Sequence, residues 1–293
     1  MKHSLPALVF AFASVVPSAA LAQSKPVDAF VSVLDAKGDP AIGLTAEDFH
    51  VREDGVVREV LKAGPATDPL TVALLIDDSQ AATPAVQMIR EAVNDFISAL
   101  SDKGEIALIT FGERPTIALD YTSDQKKLHD AANRIFPRTG AGSYLMDAII
   151  EVSKGLQKRE AKRPVIVVLM VEDDVEFSNR HYDQVLDPLA RAHASLHVVS
   201  LGQPRASLTD EIRNRDQVIA MGTERTGGRR DNVLALTAAA PEMKQLAAEL
   251  INQYVVTYSR PETLIPPEKL EVTVSKPGLV ARARTRTGEA AAR

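Results

Sequence analysis

Two stretches of the sequence are apolar almost without interruption, and carboxylates follow each of them directly. Leu70–Ile76 is broken only by Thr71 and precedes Asp77, and residues 165–171 are apolar throughout and precede Glu172. A strand that is solvated on one face alternates apolar and polar residues, so an unbroken short run predicts a strand buried on both faces. Such strands occur where helices cover both sides of a parallel sheet.

Segments with helical periodicity lie between and after these runs. Apolar residues recur at helical spacing on one face of residues 83–101, 143–156 and 182–193. Shorter apolar segments that favour strands include residues 106–111 and 196–201. Strands that alternate with amphipathic helices predict a doubly wound α/β domain with a mostly parallel sheet, which we place at residues 70–259.

The two ends of the chain have a different, β-rich pattern. Residues 23–63 alternate apolar and polar positions and contain Asp54-Gly55, a strong signal for a hairpin turn. Residues 262–288 alternate in the same way around a Lys276-Pro277-Gly278 turn. Neither piece is large enough to be stable alone. We therefore expect the N- and C-terminal strands to pair into one small β module that flanks the α/β domain.

The first 22 residues resemble a targeting segment. Lys2 and His3 precede a largely apolar stretch, and Ala20-Leu21-Ala22 has the small-residue pattern of a cleavage site. We expect residues 1–22 to be a signal peptide and the protein to be exported, either periplasmic or secreted; an uncleaved N-terminal anchor is the alternative. No later segment approaches the roughly 20 apolar residues of a spanning helix, so we expect no membrane span after cleavage.

Composition excludes several kinds of site. The chain has no cysteine, so it has no disulfide, no thiolate metal site and no cysteine nucleophile. Without the first 22 residues, the chain has 33 basic and 39 acidic residues, a net charge of −6. That balance argues against nucleic acid as a partner.

Polar side chains at the end of the first apolar run favour a cation site. Ligands of open α/β sheets bind at the carboxyl ends of strands, and the carboxylate of Asp77 and hydroxyl of Ser79 suit a hard cation such as Mg²⁺. The run from Asp77 to Ala81 resembles the D-x-S-x-S start of the metal-ion-dependent adhesion site of von Willebrand factor type A domains. The segment that begins Gly142-Ser143 resembles the threonine segment of that site, and Glu172 stands at the position of its later aspartate.

Other segments are similar to landmarks of the subgroup often labelled von Willebrand factor type A-related proteins of Acidobacteria. They are residues 43–49, Glu53-Asp54-Gly55, Thr226-Gly227-Gly228, Gln253-Tyr254 and Lys276-Pro277-Gly278. The resemblance covers nearly the whole chain after residue 22. It implies a von Willebrand A, Rossmann-like fold for residues 70–259.

The resemblance also implies an ion held by Asp77, Ser79, Ser143 and Glu172, which coordinates an acidic side chain of a protein partner. We expect Mg²⁺, or Mn²⁺ or Ca²⁺, at this site. Ala81 has no side-chain oxygen where the family has a second serine, and Glu172 is one methylene longer than aspartate. We therefore interpret the site as degenerate; a relic that binds no ion is the alternative.

Residues 172–176 contain four carboxylates, at Glu172, Asp173, Asp174 and Glu176. Their spacing is not that of an EF-hand. A Ca²⁺ loop or an acidic patch that faces a partner is one interpretation. An ordinary solvated loop is the other.

Motifs for catalysis are missing. Gly142-Ser143 is not part of a nucleophile elbow because Leu145 stands where the second glycine is required. The histidines form no H-E-x-x-H pair, and no glycine-rich phosphate loop follows the first strand. We predict that the chain is no enzyme but an exported protein-binding (adhesion) module. The alternatives are a metal-independent envelope scaffold or assembly component and a hydrolase with an unrecognised site.

Overall fold

A computed structural model describes residues 24–203, 209–262, 265 and 267–286. The expected signal peptide at residues 1–22 lies outside the described residues. The strands are β1 Ser24–Leu34, β2 Phe49–Glu53, β3 Val56–Arg58, β4 Val60–Pro65, β5 Leu70–Ile76, β6 Gly104–Thr110, β7 Thr116–Thr122, β8 Pro164–Val171, β9 Ser195–Leu201, β10 Arg230–Val233, β11 Tyr254–Pro261, β12 Leu270–Val274 and β13 Val280–Ala283. The α-helices are α1 Val86–Ala99, α2 Gln125–Ala132, α3 Leu145–Lys158, α4 Tyr182–Arg191, α5 Asp210–Thr226 and α6 Ala239–Ile251.

The two unbroken apolar runs form β5 and β8, which are neighbours at the centre of a six-stranded sheet. The strand order is β10-β9-β8-β5-β6-β7, and all pairs are parallel except β6 and β7. Helices α1, α2 and α6 pack on one face, and α3, α4 and α5 pack on the other. Leu74 of β5 faces the first helical layer and Leu75 the second. Both layers exclude water from the central strands, which explains why their sequences do not alternate.

The remaining strands form the predicted β module. One sheet has the order β13-β1-β11-β4 and the other the order β12-β2-β3. The C-terminal strands pair with N-terminal ones, β13 with β1 and β12 with β2, so the predicted pairing is confirmed. Apolar side chains of both sheets meet in a core of their own, which includes Val31, Phe49, Val51 and Val256.

Strand β11 belongs to the β module, whereas the sequence pattern placed residues 254–258 at the end of the α/β domain. It follows α6 directly but pairs antiparallel with β1 and β4. Its alternation differs from the unbroken pattern of β5: Tyr254, Val256 and Tyr258 are buried, and the residues between them are half-buried. That pattern fits a sheet with only one face on a core. The chain therefore passes from the α/β domain into the module without a linker at this point.

Arg163, just before β8, joins the two parts of the molecule. Its guanidinium donates to the backbone oxygens of Leu250 and Asp68 and to Gln253 Oε1. Gln253 in turn donates to Ser32 Oγ of β1, with an N–O distance of 3.0 Å. Burial lowers the pKa of Arg163 to about 10, so the side chain stays charged at neutral pH. These bonds tie the base of the central sheet to α6 and to the β module.

The Thr226-Gly227-Gly228 segment ends α5 where the helix meets two strands. Gly227 has φ +74°, and a Cβ there would lie 2.3 Å from the backbone carbon of Ala283 in β13. A Cβ on Gly228 would lie 1.8 Å from the backbone oxygen of Leu196 in β9. Only glycine permits this approach of the helix end to both sheets.

Glu53 links the two sheets of the β module through a buried polar network. Its carboxylate accepts hydrogen bonds from Tyr258 Oη at 2.7 Å and Arg260 Nε at 2.6 Å, both from β11. Arg58 Nε donates to the other carboxylate oxygen at 3.0 Å. Glu53 is fully buried. A buried charge of this kind is tolerated only because it is paired and hydrogen-bonded.

Replacement of Glu53 by alanine is predicted to lower the free energy of unfolding by about 3–5 kcal/mol, because the buried Tyr258 hydroxyl and the half-buried Arg260 guanidinium lose their partner. Urea denaturation measures the change. Glu271→Ala is the matched control, since Glu271 lies on the neighbouring strand and forms an exposed ion pair with Lys269; we expect it to change stability little. Equal losses in the two variants would contradict the role assigned to Glu53.

Candidate functional site

The candidate site lies at the carboxyl ends of β5 and β8, beneath two loops. Asp77, Asp78 and Ser79 follow β5, and all three are buried. Residues 140–144 contact the end of β5 through Gln80, whose N–H donates to the oxygen of Ala141, and residues 172–178 pair with Ser143. Isolated β-bridges join Ser143 to Gly112 and to Glu176, so the two loops continue the hydrogen bonding of the sheet above the strand ends.

Asp77 is held by backbone groups at both carboxylate oxygens. Oδ1 accepts from the N–H of Ser79 at 2.9 Å, and Oδ2 accepts from the N–H of Val171 at 3.0 Å. Burial raises the pKa of the Asp77 carboxyl, the hydrogen bonds from Ser79 and Val171 oppose the rise, and the charge of Asp78 adds to it. The carboxyl therefore lies in a fixed orientation where its negative charge is poorly solvated.

Asp78 forms its hydrogen bonds with neighbouring loop residues and not with the other residues of the site. Its Oδ1 accepts from the N–H of Gly112 at 2.6 Å, and its Oδ2 accepts from Arg138 Nε at 2.8 Å. Gln80 Oε1 accepts from the N–H of Gly140, also at 2.6 Å. These contacts hold the loop that carries Ser143 against the end of β5.

The acidic segment has an unusual pattern of burial. Glu172, Asp174, Glu176 and Ser178 are buried, whereas the alternate residues between them are exposed. Val175 and Phe177, the apolar members, each expose 52% of their surface. The solvated-loop interpretation is therefore wrong for three of the four carboxylates. The segment has the two-residue period of a strand, with its polar side chains inward and its apolar side chains outward.

Backbone hydrogen bonds fix the acidic segment to the other loop. The N–H of Ser143 donates to the oxygen of Val175 at 2.8 Å, and the N–H of Phe177 donates to the oxygen of Ser143 at 2.7 Å. Ser178 Oγ accepts from the N–H of Asp147 at the start of α3. The short parallel pairing with Ser143 explains why successive side chains point alternately to the site and to solvent.

Glu172, the predicted carboxylate ligand, makes its contacts on the far side of β8. Its Oε1 accepts from Asn232 Nδ2 at 3.3 Å and lies 3.8 Å from Arg230 Nη2. Both partners belong to β10 at the edge of the sheet. The structure thus brings Asp77, Ser79 and Ser143 together, but it directs the Glu172 carboxylate toward β10. Its predicted role as a ligand stays a prediction.

Asp174, and not Glu172, interacts with the other three residues. Burial raises the pKa of its carboxyl to about 7, and the negative charge of Asp77 adds to this rise. The hydroxyls of Ser143 and Ser79 lie close enough to lower the same pKa in part. Two carboxyls that oppose each other's ionisation in a buried place require either a proton or a cation.

Two oxygen atoms at the site make no hydrogen bond of normal geometry, although both are buried and have polar neighbours. They are Ser79 Oγ and Asp174 Oδ2. Buried polar atoms are nearly always paired, so two unpaired oxygens in one cluster require an explanation. Carboxylate and hydroxyl oxygens are the ligands that hard divalent cations prefer. The residues present therefore fit a cation held by Asp77, Ser79, Ser143 and Asp174.

The third position of the serine motif contributes nothing to this cluster. Ala81 packs against the apolar core beneath α1. Among the described residues, no group of three or more His, Cys, Asp or Glu side chains is arranged to hold a metal ion. A cation at this site would therefore depend on the serine hydroxyls as well as on the two aspartates.

An apolar rim lies on the solvent side of the loops that cover the buried oxygens. It consists of Tyr144, Val175 and Phe177, and the rings of Tyr144 and Phe177 have centroids 6.0 Å apart. Gly142 lies directly beneath Phe177, since a Cβ there would stand 2.1 Å from the ring. The site thus combines buried acidic groups with an exposed apolar surface immediately above them.

The sequence contained a signal for Asp174 and Glu176. Residues 174–178 strictly alternate polar and apolar side chains, which is the pattern of a half-buried strand. The usual assumption that apolar residues face inward would have assigned the two faces the wrong way round. Burial raises the pKa of Glu176 to about 6, and the charge of Arg215 in α5 opposes the rise. Arg215 has no local signal because it lies about forty residues further along the chain.

In the presence of EDTA, Asp174→Asn is predicted to stabilise the protein at pH 8 but not at pH 4. The folded protein holds a proton on Asp174 up to about pH 7, whereas an unfolded aspartate loses it near pH 4. Stability of the metal-free protein therefore falls as pH rises through this interval. We expect a gain of about 2–4 kcal/mol at pH 8, measured by urea denaturation across the pH range.

Asp173→Asn is the control for this experiment because it removes the same charge from the neighbouring, exposed position. We expect the pH dependence of Asp173→Asn to match that of the unmodified protein. If the pH dependence of Asp174→Asn also matched that of the unmodified protein, ionisation of Asp174 in the folded protein would carry no free-energy penalty.

Comparison with known proteins bears on the fold. Residues 72–174 match the family model of the von Willebrand factor type A domain. No curated protein sequence is significantly similar to the chain. Among solved structures, a von Willebrand factor type A protein from Catenulispora acidiphila aligns with a TM-score of 0.50 at 10% identity, covering 91% of this chain and 72% of that one.

Proximal thread matrix protein 1 from the mussel byssus aligns with a TM-score of 0.52 at 15% identity, covering 68% of this chain and 50% of that one. The conserved hypothetical protein BatB from Bacteroides thetaiotaomicron aligns with a TM-score of 0.47 at 16% identity, covering 62% and 98%. The family match shows a von Willebrand factor type A domain at residues 72–174, which include the central strands β5 and β8 of the six-stranded sheet.

Proposed function

We propose that this chain is an exported protein-binding module whose recognition surface contains a divalent cation. The observation that carries the proposal is the pair of buried, unpaired oxygens, Ser79 Oγ and Asp174 Oδ2, beside Asp77 and Ser143. A bound cation supplies positive charge that offsets the two aspartates and accepts the free lone pairs of the serines. Mg²⁺ is our first choice, with Mn²⁺ and Ca²⁺ as the alternatives.

The surface around the site indicates the chemistry of the partner. Val175 and Phe177 expose apolar surface beside a cluster whose carboxylates are buried. Such a surface suits a protein segment that presents an apolar side chain next to a carboxylate, the apolar group on the rim and the carboxylate on the cation. The net charge of −5 disfavours nucleic acid. No helix in the described residues is long and apolar enough to cross a membrane.

The proposal includes the finer expectations drawn from the sequence. Export rests on the signal-like first 22 residues, and membership of the Acidobacteria-type subgroup rests on motifs spread along the chain, such as Thr226-Gly227-Gly228. We propose no catalytic role. The buried carboxylates at the site lie beside backbone N–H groups and serine hydroxyls, and this setting suits the binding of a cation.

Addition of Mg²⁺ or Mn²⁺ to EDTA-treated protein is predicted to raise its apparent stability. A cation that binds only the folded state contributes about 2.7 kcal/mol when present at 100 times its dissociation constant. Thermal unfolding gives the increment for each ion. We expect Asp77→Asn and Asp174→Asn to abolish the increment and Glu172→Gln to retain it, because Glu172 contacts Asn232 and Arg230.

The outcome with Glu172→Gln also decides between the two candidate carboxylates. Loss of the increment in Glu172→Gln, with retention in Asp174→Asn, would restore Glu172 as the ligand. No increment with any of the three ions in the unmodified protein would contradict the cation site itself.

Partner capture is predicted to depend on both the cation and the apolar rim. Immobilised protein is exposed to an envelope extract with Mg²⁺ or with EDTA, and captured proteins are quantified. We expect the specific partner to be lost with EDTA and with Phe177→Ala. Ile117→Ala is the matched control, because Ile117 is also a large exposed apolar residue but lies on the edge strand β7.

A metal-independent scaffold is the second candidate, and one observation favours it. Val56 and Val57 on edge strand β3 of the β module are both exposed. Exposed apolar residues on an edge strand offer a surface for pairing with another chain. In the same capture experiment, loss of the partner with Val57→Lys but not with EDTA would favour this candidate over the cation-dependent module.

A further inference from the structure

The hydroxyl of Ser143 has a carboxylate acceptor, Glu176, in addition to the residues of the candidate cation site. Ser143 is fully buried, and its Oγ donates to Glu176 Oε2 at a distance of 3.3 Å. A serine hydroxyl has one hydrogen to donate and two lone pairs. The same hydroxyl also lies beside the Asp174 carboxyl, whose pKa it lowers in part, so Glu176 and Asp174 compete for its one hydrogen.

Glu176 is held in place from three directions. Its other oxygen, Oε1, accepts from the N–H of Ser178 at 2.9 Å. Its backbone forms a bridge with Ser143, and the charge of Arg215 in α5 acts on its carboxyl. Arg215 is itself buried and reaches the backbone oxygen of Asp174 at 3.5 Å. Glu176 therefore has little freedom to turn away from Ser143.

Serine depends on such a partner more than threonine does. A serine side chain has three staggered positions of similar energy, whereas a β-branched side chain is stiff at χ1. In the absence of Glu176, the Ser143 side chain is free to change its χ1 rotamer, which moves its oxygen away from the site, and its hydroxyl is free to donate to Asp174, the other carboxylate beside it. A hydroxyl in that orientation presents a hydrogen and not a lone pair to a cation.

We propose that Glu176 is a positioning residue for the cation site: it accepts the hydroxyl hydrogen of Ser143 and so directs the oxygen lone pairs toward Asp77, Ser79 and Asp174. The inference rests on the proposed cation-binding function. It assigns to the acidic segment two separate tasks. Asp174 contacts the cation, and Glu176 orients a residue that does.

The test measures the affinity of the full chain for Mn²⁺ by electron paramagnetic resonance of the unbound ion. Glu176→Met removes the acceptor at similar side-chain length, and Glu176→Gln keeps a carbonyl acceptor without the charge. Loss of a group that orients a ligand typically weakens metal affinity by about 10–100-fold. We expect a weakening in that range for Glu176→Met and a smaller one for Glu176→Gln.

The same substitution in a Ser143→Thr background separates positioning from charge. The β-branched threonine restricts its own rotamer, so we expect Glu176→Met to weaken Mn²⁺ affinity there by less than about threefold. Glu113→Gln is the control for loss of one nearby negative charge, since the Glu113 side chain is exposed and pairs with Arg138, and unfolding in EDTA shows that each variant is folded. Should Glu176→Met fail to fold, the comparison of Glu176→Gln in the two backgrounds remains decisive.

Three outcomes would overturn the inference. They are an unchanged affinity in Glu176→Met, equal losses with and without the Ser143→Thr substitution, and equal losses in Glu176→Met and Glu176→Gln. The second would show that Glu176 does not act through Ser143, and the third that it acts through its charge alone. If the unmodified protein binds no Mn²⁺, the proposed cation-dependent function fails as well, whereas the three outcomes above leave that function intact.

Discussion

Burial of β5 and β8 on both faces is the constraint on which the rest of the molecule depends. Each strand is covered by a helical layer on either side, and the free energy of that apolar burial holds the strand ends in place. Asp77 begins where β5 ends, so it has no freedom to move toward water. The fold thereby places negative charge where isolated carboxylates are unfavourable, and the surrounding loops supply the hydrogen bonds that make it tolerable.

The β module adds a second core and is continuous with the first part of the molecule. Strand β11 leaves α6 and enters the module directly, while Arg163 and Gln253 bridge the two parts below the central sheet. The buried Glu53 network then joins the two sheets of the module. Since N- and C-terminal strands pair with each other, both ends of the described chain contribute to one small unit.

Sequence reasoning succeeded where a local pattern reports burial directly. The unbroken run of β5, the helical stripe of α1 and the Asp54-Gly55 turn all have periods or turn residues that admit one interpretation. Proximity of Asp77, Ser79 and Ser143 followed from the position of each at a strand end or loop. In each case the relevant physics acts over a few residues.

Prediction was weaker where burial opposed the chemical character of the side chain. Asp174 and Glu176 are charged yet point inward, because the pairing of their backbone with Ser143 and not their own solvation decides their direction. Strand β11 alternates buried and half-buried residues, whereas a strand between two helical layers is buried throughout. Its membership of the β module is known only from its pairing with β1 and β4. Arg215 influences Glu176 across a long sequence separation, which no local pattern reports.

The alternation of residues 174–178 has a consequence for how the site can change. In a strand, a shift of register by one residue moves every side chain to the opposite face. A one-residue slip against Ser143 would bury Val175 and Phe177 and release Asp174 and Glu176 to solvent. No intermediate arrangement preserves the backbone hydrogen bonds. The inward orientation of the acidic side chains and the outward orientation of Val175 and Phe177 are therefore gained or lost together. The surface that a partner would touch and the chemistry beneath it are two faces of one short strand.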